Sequence, residues 1–95
     1  MDLQEKVEIT KKIKVQLTTE VMTHNGIIKP NGYCCIVFYN QGTTTALLMD
    51  TIQVIPGASH EFNFDSNEVI DTPMAVSFSG TGSNNLAVTK IYKYI

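Results

Sequence analysis

From Val7 to Leu17 the odd positions carry Val7, Ile9, Lys11, Ile13, Val15 and Leu17, while the even positions carry Glu8, Thr10, Lys12, Lys14 and Gln16. A period of two with one apolar side predicts a long strand, or two short ones bent near Lys11, with one face dry and the other charged. The lysines on the wet face also discourage unwanted pairing along that edge. Glu20 to His24 reads as a further short strand. Asn25-Gly26, the strongest two-residue hairpin signal in the chain, predicts a reversal into Ile27 and Ile28, and Pro30-Asn31-Gly32 predicts another turn. Tyr33 to Tyr39 then reads as a strand, Asn40-Gln41-Gly42-Thr43 as a turn, and Thr44 to Met49 as the partner of that strand.

In mid-chain, Ile52 and Val54 alternate with polar neighbours, Pro56-Gly57 interrupts, and Phe62 and Phe64 alternate again, which predicts strand, turn and strand between Asp50 and Asp65. Proline presets φ at the first turn position and glycine accepts the positive φ of a type II turn at the next. Asp65 to Glu68 reads as a turn, Met74 to Ser79 as a strand, Gly80 to Asn85 as a hairpin loop, and Leu86 to Tyr94 as the closing strand. The apolar phase of that last strand slips near Lys90, which predicts a bulge or a change of neighbour. No helical period exceeds about one turn. The expectation is an all-β fold, an antiparallel β-sandwich of about seven to nine short strands, with barrel-like closure as the alternative.

A length of 95 residues fits one domain over residues 1–95. A domain of that size buries roughly 60 to 65% of its unfolded surface, which leaves little room for a deep catalytic cleft. Seven lysines, no arginine and nine acidic residues give a net charge of -2, and a chain without a basic field or a guanidinium fork is poorly suited to nucleic acid. No apolar run suggests a signal peptide or a bilayer span, so the expectation is no membrane and synthesis in a cytoplasm.

Candidate chemistry is thin. His24 and His60 have no cysteine, histidine or paired acid at metal-ligand spacing. Adjacent Cys34 and Cys35 read as reduced, buried small side chains, because strand neighbours point to opposite faces and a bond between them would strain the backbone. Asp65, Asn67, Glu68 and Asp71 lack the glycine and spacing of a calcium loop, and no lysine follows the glycines around Gly80 as in a phosphate loop. No catalytic, cofactor-binding or metal-binding residue is assigned, and an enzyme is not expected.

What remains is a surplus of apolar side chains on both faces of the strands from Tyr33 to Met49. A two-layer domain covers only one face of each strand, so a second dry face calls for a partner or for the N-terminal segment. Cys34, Ile36, Phe38, Leu47 and Met49, with Tyr92 and Tyr94 from the last strand, are the candidate interface, and a homo-oligomer is the expectation.

Thr51-Ile-Gln-Val-Ile-Pro-Gly-Ala-Ser-His-Glu-Phe-Asn-Phe-Asp65, followed by Ala75-Val-Ser-Phe-Ser-Gly-Thr-Gly-Ser-Asn-Asn-Leu-Ala-Val-Thr-Lys90, resembles small β-sandwich structural proteins of tailed bacteriophage virions. There a strand, a Pro-Gly turn and an aromatic-alternating strand precede a hairpin with a Gly-Thr-Gly-type loop. The likeness spans roughly the last two thirds of the chain and rests on structural motifs. It implies a non-enzymatic virion component without a cofactor: an auxiliary or decoration protein on the capsid shell, or a head-tail or tail attachment piece. A small ligand- or glycan-recognition module is the competing expectation from the residues.

Overall fold

The structure, a computed structural model, describes residues 12–95. The first part of the N-terminal alternating run, Val7 to Lys11, lies outside the described residues. Eight strands follow in order: β1 Lys14–Met22, β2 Gly26–Ile28, β3 Cys35–Asn40, β4 Thr45–Leu48, β5 Ile52–Val54, β6 Ser59–Asn63, β7 Met74–Ser79 and β8 Leu86–Tyr94. They form two four-stranded sheets, β1-β8-β3-β6 and β2-β7-β4-β5. Every pairing is antiparallel, and the sheets do not close into a barrel.

One geometric idea generates this order. The chain doubles back at the β4–β5 turn, so β4 pairs with β5, β3 with β6, β2 with β7 and β1 with β8. The resulting two-stranded ribbon wraps around itself, which adds β3·β8 and β4·β7. That is the jelly-roll form of the β-sandwich.

Several expected hairpins are therefore crossovers between sheets. Asn25-Gly26 carries the chain from β1 in one sheet to β2 in the other, and the Asn25 side-chain oxygen accepts the Phe78 amide at 3.0 Å. Thr44 to Met49 contributes β4 to the sheet opposite β3 and is not its hairpin partner. Pro56-Gly57 does form the expected turn, with Gly57 at φ 81° and the Ala58 amide donating to the Ile55 carbonyl at 3.0 Å. It too joins strands of different sheets, as does the loop from Gly80 to Asn85. The residues expected to form a separate strand after Glu20 instead prolong β1 as far as Met22.

Among the described strands the one connection within a sheet, β4 to β5, turns through Met49 and Asp50 at φ 52° and 59°, and the Thr51 amide donates to the Leu48 carbonyl at 3.1 Å. Two successive positive φ values are what a turn matching the twist of a tight hairpin requires.

Alternation decides the core. Ile36 and Phe38 of β3 and Leu86 and Val88 of β8 point inward, against Ala46, Leu48, Val54, Met74 and Val76 of the opposite sheet, with Ile28, Tyr33 and Ile70 closing the ends. The ladder of β1 on β8 is unbroken from Lys14↔Tyr94 to Met22↔Leu86, so β8 has no bulge there. It does change neighbours: β3 accompanies it only as far as Ile91. The apparent phase slip arises because the inward positions after Val88 are Lys90 and Tyr92. The Lys90 ammonium lies 5.5 Å above the Tyr33 ring and 3.7 Å from Glu20, so it takes an inward position while remaining paired.

Candidate interaction surface

The outer face of the β1-β8-β3-β6 sheet follows from the register. Val15, Leu17 and Val21 of β1 lie beside Lys93, Ile91 and Ala87 of β8, and Ile91, Thr89 and Ala87 lie beside Cys35, Val37 and Tyr39 of β3. Val15, Leu17 and Val21 are more than half exposed and Tyr39 is 44% exposed. Val37, Ala87 and Ile91 are half-buried. Asn63 and Phe64 close off Cys35 at one end of this face, but among the described residues no second layer lies over the rest, so an apolar stripe with exposed ends crosses three strands.

β1 is unusual even within that sheet. From Lys14 to Val21 every residue is exposed, on the apolar side and on the polar side alike. The alternating run does become a strand, but the dry face expected of it is open. The cause lies opposite: β2, its counterpart in the other sheet, has only three residues, so among the described residues no second layer reaches most of β1. The strand hangs on β8 alone, and its other edge is unpaired among the described residues.

The residues expected at an interface are scattered by the fold. Cys34, Ile36 and Phe38 are buried, at 1%, 0% and 0% exposure, which corrects their assignment: they belong to the interior, and the outward positions of β3 are Cys35, itself covered, Val37 and Tyr39. Leu47 faces outward on the other sheet, between Ser77 and Gln53. Met49 packs on the core from its turn. Tyr92 meets Tyr33 edge to face at 6.3 Å, and Tyr94 sits exposed at the end of β8, opposite Lys14. Sequence reasoning missed Val15, Leu17, Val21, Val37, Tyr39 and Ile91 as a set. The signal was present in two separate alternations, and only the cross-strand register joins them.

The two cysteines illustrate how local irregularity redirects side chains. Cys35 is the register partner of Ile91, yet the Cys34 amide also donates to the Ile91 carbonyl, at 3.0 Å. Two residues thus oppose one, as in a β-bulge. That lets neighbouring thiols converge to 3.5 Å, with Cys35 Sγ 2.9 Å from Asn63 Oδ1. Burial, then the contact with Cys35, pushes the Cys34 thiol above its ordinary range. A protonated, inaccessible thiol is a poor nucleophile.

Among the described residues no group of three metal-ligating side chains converges. His24 Nδ1 lies 2.9 Å from Thr23 Oγ1, and His60 packs edge-on against Phe62. Asp65 and Glu68 bind each other's backbone amides and close their own turn. A cleft of about 550 Å³ opens between β1 and β2, with Glu20, Lys29, Asn31 and Lys90 on its walls. The Lys90 charge is already met by Glu20. Tyr33, whose buried hydroxyl has no partner among the described residues, has its pKa raised by desolvation and then by Tyr92.

Comparison of the chain with protein-family models and with curated proteins gives no match.

Proposed function

We propose that this protein is a non-enzymatic structural component of a bacteriophage virion, an auxiliary or decoration protein docked on the capsid shell. The observation that carries the reading is the open apolar stripe of Val15, Leu17, Val21, Val37, Tyr39 and Ile91 on one sheet face. Large uncovered apolar patches mark interaction surfaces. The bacteriophage assignment rests on the resemblance carried by residues 51–65 and 75–90, and the jelly-roll form is one that viral shell proteins use among others.

A glycan-recognition module is the competing reading, and the cleft between β1 and β2 is its basis. No aromatic side chain lines that cleft, whereas sugar rings are usually held against aromatic faces, so the assembly reading is preferred. Quantitative mass spectrometry of purified particles is the test. The expected result is the protein at a copy number in fixed ratio to the shell subunit. Tyr39→Glu should keep the far-ultraviolet spectrum of the fold while abolishing recruitment to the shell. Particles that lack the protein, or a Tyr39→Glu variant recruited as well as wild type, would refute the proposal.

A further inference from the structure

We infer that β1 is a self-pairing edge, along which two copies of this chain join antiparallel about a two-fold axis at Leu17. The unpaired side of β1 presents a row of backbone donors and acceptors, and such an edge is a template for another strand. Both faces of β1 are open, so a second β1 meets no steric obstacle from the other sheet.

The register comes from charge. Lys14 and Glu20 are the only charged residues in β1, three positions to either side of Leu17. In antiparallel pairing about a two-fold, opposed residue numbers have a constant sum. Setting Lys14 against Glu20 of the second copy places Leu17 against Leu17, Val15 against Thr19 and Ile13 against Val21. Two opposite-charge pairs and an apolar seam result, all on matching faces. Displacement by two residues in the sum sets Lys14 against Thr18 or against Met22 and loses both Lys14–Glu20 pairs. Glu20 is 62% exposed in its side chain while it holds Lys90 at 3.7 Å, so one of its oxygens is free for the partner's Lys14.

The occupant is a second copy, because one strand supplies both halves of the charge pattern, and a C2 contact requires that self-complementarity. The joined sheets would also extend the apolar stripe across the axis. This pairing is independent of the virion reading: a protein that dimerises yet is absent from particles would refute the earlier proposal and leave this one standing.

The test uses the full chain in analytical ultracentrifugation from about 1 to 100 µM, a range suited to a modest edge-to-edge contact. A dimer is expected. Lys14→Glu and Glu20→Lys should each weaken it, by about fivefold or more in dissociation constant, since each turns two attractive pairs repulsive. The double reversal should restore it. Leu17→Cys should cross-link under mild oxidant, whereas Gln16→Cys and Thr18→Cys, which report displaced registers, should not. A chain monomeric throughout that range, a trimer, or cross-linking that prefers Gln16→Cys or Thr18→Cys would overturn the inference. All the altered side chains are exposed, so the fold should tolerate the changes.

Discussion

Replacing Asn40 by alanine would remove a buried side chain that makes three hydrogen bonds. Asn40 is fully buried. Its amide nitrogen donates to the Thr44 carbonyl at 2.7 Å and to the Val54 carbonyl at 2.8 Å, and its amide oxygen accepts the Gly42 amide at 2.9 Å. Its backbone is engaged as well, donating to Ala58 and accepting from Gly57. One residue thereby ties the end of β3 to the crossover that follows, to β5 in the other sheet, and to the Pro56-Gly57 turn. Three lost hydrogen bonds at about 1 kcal/mol net each give roughly 3 kcal/mol, and dry, unpaired carbonyls on buried Thr44 and Val54 raise that to about 5 kcal/mol. A domain of this length holds only about 5 to 14 kcal/mol in total. The melting temperature should fall by about 12 °C or more, and the urea midpoint by about 2 to 3 M with the slope unchanged. Asn40→Asp is the sharper probe. Its carboxylate would face two carbonyl oxygens, so its folded pKa is raised. Its stability should be highest in acid, where the protonated group can still donate one bond, and should decline as pH rises toward neutrality. An Asn40→Ala loss below about 1 kcal/mol by equilibrium urea unfolding would refute this account of the corner.

Gly42 and Gly57 should separate two kinds of glycine requirement. A Cβ at Gly42 would land on the Ser83 carbonyl oxygen and 2.8 Å from the Asn85 amide nitrogen, whereas Gly57, at φ 81°, has open space around it. Thermal melts should show Gly42→Ala costing about 3 kcal/mol, against about 1 kcal/mol for Gly57→Ala. Asp50→Gly should stabilise the β4–β5 hairpin, by up to about 1 kcal/mol in the same assay, because it relieves a positive φ on an exposed side chain. Cys34 and Cys35 should resist Ellman's reagent in the native state and both react after unfolding. The raised pKa values of Cys34 and Tyr33 mean the unfolded chain releases these protons first. Their contribution is fully present below the ordinary thiol value of about 8.5 and is lost as pH rises from there through the ordinary tyrosine value of about 10 to the folded values. Urea titrations at stepped alkaline pH read this directly.

Strand positions were legible because side-chain alternation is a local property. Met74 to Ser79 and Leu86 to Tyr94 coincide with β7 and β8, and the Pro56-Gly57 turn has the geometry its residues favour. Strand partners were not legible, since pairing in a wrapped ribbon is set by the whole chain. Of seven connections among the described strands only β4 to β5 stays within a sheet, so a rule that joins sequence neighbours into hairpins fails at almost every turn. Asn25-Gly26, the best hairpin signal, marks a crossover. The actual hairpin turns on Met49-Asp50, where Met49 packs on the core and β-sheet closure holds a backbone that its residue types do not favour.

The candidate surface was half legible for a related reason. Alternation divides a strand into two faces without saying which one is inside. In β3 both faces are apolar, so alternation alone does not choose the inward one, and the bulge at Cys34 and Cys35 is invisible in the residue types. In β1 the alternation is clean, but burial does not follow from it. A strand buries its apolar side only where a second layer stands over that side, and the inward side of β1 carries Lys14, Gln16, Thr18 and Glu20 while Val15, Leu17 and Val21 face out. Apolar side chains that stay more than half exposed, with only their β8 neighbours beside them, gain little from folding alone. An exposed apolar set beside an edge left unpaired among the described residues is the physical ground on which the assembly reading is proposed.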